Sequence, residues 1–311
     1  MRVVFFGTPE FSAKVLDALF EAKINIVGII SKPDKPQGRH LKLTPTPVKA
    51  LASEKHPEIP LWQPEKVSDP LFAPTLEALK PDLFVVVAYG EILKEHLLTL
   101  PRKGCINVHT SLLPKLRGAA PIQRAIMQGE GESGVTIIYL VKQMDAGDIL
   151  SQRSLEVGPD MTFGELEEAI LKLSIPILLE AISSIEAGEA PRVPQDPEKA
   201  TFAPKVEAEE CEVKWERDAA ALHNLIRGSN PYPGAWCWAH IKGQKVRLKL
   251  FRTRLVSNEG KAGEIVSFGK EGWRVACSQG ALEILEVQPE GKRRMSTVDF
   301  MRGVDRSQIV L

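Results

Sequence analysis

The chain has no long apolar run. Its longest, Leu83 to Tyr89, holds seven residues, against the roughly 20 that a helix needs to cross a bilayer. No membrane-spanning segment is expected. The stretch Met1 to Phe11 carries one basic residue and a short strand-like run that meets glycine and proline at once. It has neither the longer apolar core nor the small-residue cleavage site of a secretory signal, so the expected location is cytoplasmic. Cysteine is scarce: Cys105, Cys211, Cys237 and Cys277 stand far apart. This spacing argues against a disulfide scaffold and a CxxC metal knuckle, and free or buried thiols are expected. The six histidines are scattered and no HExxH occurs, so no metal centre is expected. Net charge is missing too, with 40 Lys and Arg balancing 40 Asp and Glu.

What is present describes a folded protein. With 311 residues, 43% hydrophobic and 26% charged, the chain exceeds the usual size of one core, and two domains are expected. Val3 to Phe6 is a strand-like run ending in Gly7-Thr8-Pro9. Helical spacing then appears at Phe11, Val15, Leu16 and Leu19, and a second strand at Ile24 to Ile30. Further strands are expected at Asp82 to Ala88, Cys105 to His109 and Gly134 to Val141, with a helix at Ala119 to Gln128. This strand–helix alternation predicts an α/β fold with a Rossmann-like, mostly parallel sheet. Thr162-Phe-Gly-Glu165 reads as a capping box opening a helix that Pro176 bends or divides.

Four prolines between Gly188 and Pro204 mark an ordered linker whose stiffness sets the spacing of the domains. After it come a helix near Ala219 to Ile226 and short strands punctuated by glycine, the pattern of a small antiparallel β-barrel of OB-like type. The expected division is 1–189 for the first domain, 190–207 for the linker and 208–311 for the barrel. Zero net charge hides a local bias, since His223 to Arg254 carries seven basic side chains and no acidic one. Within it Lys245, Arg247 and Lys249 alternate with Val246, Leu248 and Leu250, which places one charged row toward water. The phase slips after Phe251, and a bulge would reconcile the two halves.

Two polar clusters interrupt the apolar pattern. Asn107 and His109 lie two apart on one strand and face the same way, just before the loop Ser111 to Gln123. Met144-Asp145-Ala-Gly147-Asp148 follows the next strand, and an Asp there can orient a histidine ring. Loops after strand ends are where α/β enzymes place chemistry. The same residues are also compatible with a structural histidine and turn-capping Asp and Asn. A dinucleotide site is excluded, because the first turn supplies one glycine where GxGxxG supplies three.

In order and spacing these motifs resemble the folate-dependent formyltransferases. The resemblance rests on Asn107–His109, SLLPKLRGAAPIQ from Ser111, and Asp145 in DAGD. FFGTPEF, SKPDKPQGR from Ser31, PVKALA from Pro47, VVVAYGEIL from Val85, TFAPK from Thr201 and RGSNPYP from Arg227 add to it. One departure is Thr110, where a glycine is common. The resemblance implies catalytic roles for Asn107, His109 and Asp145, and 10-formyltetrahydrofolate as a consumed co-substrate with no permanently bound cofactor. It places the folate beside Tyr89, Gly90, Ser111, Leu112, Leu113 and Pro114; Tyr89 is equally readable as a packing aromatic. It also implies methionyl initiator tRNA as acceptor and partner, with no obligate protein partner.

The segment Ser31 to Pro47 holds four basic residues, a glycine and three prolines ahead of Pro47, so neither a helix nor an interior strand is expected there. The resemblance makes it a loop that reaches the tRNA acceptor stem through Arg39 and Lys42 and orders on binding. Lys245, Arg247 and Lys249 would meet the tRNA backbone. Two alternatives remain: a formyltransferase for a small amine such as a sugar nucleotide or glycinamide ribonucleotide, and a non-enzymatic RNA-binding protein.

Overall fold

Strands without a polar face belong inside a sheet covered on both sides. In the computed structural model, which describes residues 1–37, 42–257 and 260–311, β1 (Val3–Gly7) is buried throughout and leads into α1 (Glu10–Glu21). β2 (Ile26–Ile30) returns beside it, followed by β3 (Lys35–Gln37), β4 (Lys42–Thr44) and α2 (Pro47–Lys55). Next come β5 (Leu61–Trp62), α3 (Ala73–Ala78), β6 (Leu83–Val87), α4 (Glu95–Leu98) and β7 (Cys105–His109). β8 (Arg117–Gly118), α5 (Pro121–Met127), β9 (Glu132–Tyr139), β10 (Ile149–Glu156) and α6 (Phe163–Ala187) complete this half. The sheet order is β10-β9-β7-β6-β1-β2-β5. Contiguous neighbours from β5 to β7 pair in parallel and β9 joins β7 antiparallel, the mostly parallel sheet that the alternation predicts.

The remaining elements are β11 (Phe202–Ala203), α7 (Ala219–Gly228), β12 (Ala235–Ile241), β13 (Gln244–Val256), β14 (Ile265–Gly269), β15 (Gly272–Ala276), β16 (Ala281–Pro289), β17 (Met295–Ser296), α8 (Thr297–Met301) and β18 (Ile309–Val310). The strands from β12 to β18 build a nearly closed antiparallel barrel in the order β14-β15-β16-β13-β12-β18, with β17 on β16. Lys242 and Gly243 join β12 to β13 with φ of 52° and 78°, the left-handed pair that a two-residue hairpin requires. The ladder between β13 and β16 slips between Leu250 and Thr253, where the charge pattern predicts a bulge. The barrel core holds Trp273, fully buried, stacked on Phe300 at 5.3 Å and edge-on to Phe268 at 5.4 Å.

By contact density the chain divides into two units. One is Met1–Gly118, Gly134–Leu155 and Ala169–Phe202; the other is Ala119–Ser133, Glu156–Glu168 and Ala203–Leu311. The Thr162–Glu165 capping box forms, each partner's side chain accepting the other's backbone N–H. Pro176 does not divide α6, which runs unbroken for 25 residues. All four cysteines are free and buried, and burial pushes the thiols of Cys211 and Cys277 up to about 11 and that of Cys237 to about 12. Among the described residues no helix is long and apolar enough to cross a membrane, and no group of acidic, His or Cys side chains is placed to hold a metal.

Arg227 and His223 on α7 show how a basic segment can be structural. Arg227 is buried, donating to the carbonyls of Gly158 and Met161 and to Asn224. His223 donates Nε2–H to Pro159 O at 3.1 Å, and its Nδ1 lies 2.9 Å from the Thr253 hydroxyl. Burial holds its pKa below the ordinary value, against the opposing pull of Pro159 and Asp160. The unfolded chain therefore takes up this proton first. Stability from His223 is complete above pH about 6.5 and lost as pH falls toward the lowered folded value. We expect His223→Gln to flatten the fall of Tm between pH 7 and pH 5; parallel wild-type and variant curves would contradict this.

Candidate active site

Parallel strands deliver their carboxyl ends, and the loops that follow, to one edge of the sheet. β7 lies between β6 and β9, with Asn107 opposite Val86 and His109 opposite Thr136. Along β7 every residue is buried except Asn107, which is half-buried. Its amide is thus the polar group this strand offers to the face it shares with His109.

The ring of His109, 5% exposed, is gripped from two sides. Nε2 lies 2.9 Å from Leu116 O, and because a carbonyl only accepts, Nε2 carries the proton. Nδ1 faces Asp145 Oδ2 at 3.6 Å, and the same oxygen accepts the backbone N–H of Gly118 at 2.8 Å. Leu116 and Asp145 both adopt left-handed backbone, with φ of 59° and 49°, at a cost of roughly 1–3 kcal/mol each for residues bearing a side chain. Gly147 lets the Asp145 turn close on the sheet: a Cβ there would stand 1.8 Å from Tyr139 O.

The loop after His109 is fixed by one buried hydroxyl. Thr136 Oγ1 donates to Ser111 O at 2.6 Å and accepts from Leu113 N at 3.1 Å and Gln152 Nε2 at 2.8 Å. Ser111 Oγ donates to Lys115 O. Tyr89 is a core residue, edge-on to Phe6 at 5.6 Å and 2% exposed. Its hydroxyl has no hydrogen-bond partner among the described residues, and burial raises its pKa. The Tyr89 carbonyl accepts from Thr8 Oγ1. Gly90, at φ 88°, has open space where a side chain would go.

Residues 1–182 match a family model described as formyl transferase, and residues 205–305 match the formyl transferase C-terminal domain. The methionyl-tRNA formyltransferase of Protochlamydia amoebophila is 49% identical, over 99% of this chain and 97% of that protein. That of Moorella thermoacetica is 43% identical, over 97% and 96%. The chain belongs to the methionyl-tRNA formyltransferase family. Among solved structures, the sugar 3N-formyltransferase WlaRD superposes with a TM-score of 0.66 at 18% identity, covering 94% of this chain and 99% of that one. HypX of Aquifex aeolicus, in complex with tetrahydrofolic acid, gives 0.66 at 20% identity over 98% and 48%. At that distance they share the fold.

In this formyltransferase the proline-rich segment after α6 is bonded to the loops of the first unit. Val193 exchanges backbone hydrogen bonds with Ile149, Arg192 stacks on Tyr139 at 3.6 Å, and Gln195 and Thr201 bond to the loops beside His109. Sequence reasoning passed over Thr136, Gln152, Gln195 and Thr201. Only Thr201, inside TFAPK, carried a signal.

Within the Ser31–Pro47 segment β3 and β4 pair antiparallel, with Lys35 opposite Thr44 and Gln37 opposite Lys42. Lys42 is exposed on β4; Arg39 lies outside the described residues. The segment is tied by Asp34, whose carboxylate accepts from Gln63, Lys49 and Thr46. Those bonds, the Gln63 amide first, hold its pKa below the usual carboxylate range.

On the barrel, Lys245, Arg247 and Lys249 share β13, but they are not bare charges. Lys245 Nζ sits 4.6 Å from the Trp238 ring and Arg247 packs 3.9 Å from Trp236, while Lys249 donates to Pro233 O. The continuation of the row is neutralised: Arg252 pairs with Glu165 and Glu286, and Arg254 with Glu283. Acidic residues absent from the local sequence arrive from other elements.

Thr136 makes a test of the loop's anchorage. Thr136→Val keeps the shape and leaves a buried N–H and carbonyl unpaired, which costs about 1–3 kcal/mol. Chemical unfolding is expected to show that loss, with Thr136→Ser close to wild type. Equal stability of the valine variant would mean that the loop is held by other contacts.

Proposed function

We propose that the chain transfers the formyl group of 10-formyltetrahydrofolate to the α-amino group of methionyl initiator tRNA, as the first step of supplying formylated initiator for translation. The observation that carries this reading is the His109 ring held between Leu116 O and Asp145, beside half-exposed Asn107 at the open edge of the sheet, in a chain of this family.

The chemistry assigns each residue a task. The amine lone pair forms the new C–N bond while the formyl C=O pair moves onto oxygen. Asn107 donates its amide N–H to that oxyanion, a contribution of about 3–4 kcal/mol where the donor is preorganised. His109, protonated at Nε2, is the second donor to the same oxygen, exchanging Leu116 O for it. Asp145 orients the ring and takes the proton that the attacking amine sheds. The carbonyl then re-forms, the bond to N10 breaks, and the departing nitrogen collects a proton. No metal is needed for these steps.

The folate is assigned to the neighbourhood of Tyr89, Gly90, Ser111, Leu112, Leu113 and Pro114. The open space at Gly90 and the Thr136-braced loop fit a flat ligand recognised largely through backbone groups. Arg39 and Lys42 are assigned to the acceptor stem, and Lys245, Arg247 and Lys249 to phosphates along the tRNA. Residues 1–189 form the catalytic domain in this reading, with 190–207 the linker and 208–311 the tRNA-binding barrel.

Alanine variants test the assignment. Asn107→Ala, His109→Ala and Asp145→Ala are each expected to lower kcat for methionyl-tRNA by at least about 100-fold, with tRNA affinity little changed and strongly non-additive effects when combined. Weakened tRNA binding with unchanged kcat in His109→Ala would contradict it.

A further inference from the structure

We propose that Gln195 and Thr201, on the segment after α6, are positioning residues that hold in place the two groups flanking the His109 ring. This rests on His109 being a residue of the transfer site. The two groups that grip the ring are Leu116 O and the Asp145 carboxylate. Both belong to residues in left-handed backbone. Such conformations persist only where surrounding bonds over-determine them.

Those bonds come from one short stretch of chain. Thr201 Oγ1 accepts the N–H of Leu116 at 2.9 Å, and Thr201 O accepts that of Arg117 at 2.8 Å. Leu116 is thereby held by its N–H from Thr201 while its carbonyl receives His109. On the other side, Gln195 Nε2 donates to Asp145 O and to Gly147 O, each at 2.8 Å. Gln195 Oε1 accepts from Arg117 Nε at 3.1 Å and Nη2 at 2.7 Å. The amide thus spends both donor hydrogens on the Asp145 turn and its oxygen on the loop that carries Leu116. The five intervening positions leave the chain short, and it is pinned upstream where Val193 bridges to Ile149. One clasp therefore sets the separation of the two walls between which the imidazole sits. The bonds of both residues go to the loops and not to the ring, so the effect on His109 is indirect.

The test uses the full-length enzyme with 10-formyltetrahydrofolate and methionyl-tRNA. Thr201→Val and Gln195→Ala are expected to lower kcat by about 10- to 100-fold, the range for a small misplacement of a catalytic group, with KM for both substrates within about two-fold. Thr201→Ser restores the hydroxyl and is expected to recover most of the loss. In a His109→Ala background the same substitutions are expected to cost less than about two-fold, because the group they position is gone. If Thr201→Val does not fold, Gln195→Glu carries the test, since it sets a carboxylate oxygen against two carbonyls. Loss of kcat in His109→Ala with wild-type kcat in the clasp variants would overturn this proposal alone. So would an equal loss with and without His109. Wild-type kcat in His109→Ala would overturn the site reading, and this proposal with it.

Discussion

A buried imidazole held between a carbonyl and a carboxylate constrains everything around it. His109 cannot shift toward Leu116 O or Asp145 without losing contact with the other, and neither group stands on relaxed backbone. The parallel sheet supplies the fixed end of this arrangement, because β7 is paired to β6 through Asn107 and to β9 through His109 itself. The loops supply the other end, and they need bracing: Thr136 beneath Ser111 and Leu113, Gly147 against Tyr139, and the segment after α6 across both. Oriented donors that need no reorganisation at the moment of reaction are what electrostatic catalysis asks of a scaffold.

Much of the first sheet was legible because its signals are local. Leu83–Val87 is apolar throughout and is buried throughout, and the Thr162–Glu165 box announces a helix start by its own two side chains. The face shared by Asn107 and His109 follows from strand periodicity alone. Convergence of Asp145 on that face did not follow from spacing; it came from the family resemblance, and the structure puts the carboxylate beside the ring. Gln195 was illegible for a physical reason. The acceptors of its N–H groups lie 48 and 50 residues away, at Gly147 and Asp145, and they are backbone carbonyls, which no residue identity announces. Proline content made the segment read as a spacer, while its backbone and one amide were lacing loops together.

Charge was the other place where local reading fell short. A stretch without acidic residues need not be a bare cationic surface, since salt bridges are made in space. Arg227 is buried among carbonyls and Arg252 and Arg254 find glutamates from distant elements. What remains is shorter and more specific: Lys245 and Arg247 lying on Trp238 and Trp236. Cations over indoles form a surface that suits a polyanion with flat bases better than a row of lysines would.

The acceptor is the point on which the functional account stands. Purified enzyme should be given labelled 10-formyltetrahydrofolate with equal concentrations of methionyl initiator tRNA and an amino-sugar nucleotide in one vessel. The account predicts label in the aminoacyl-tRNA, recovered as formylmethionine after deacylation, and none above background in the sugar. Label appearing in the sugar nucleotide with none in the tRNA would contradict it.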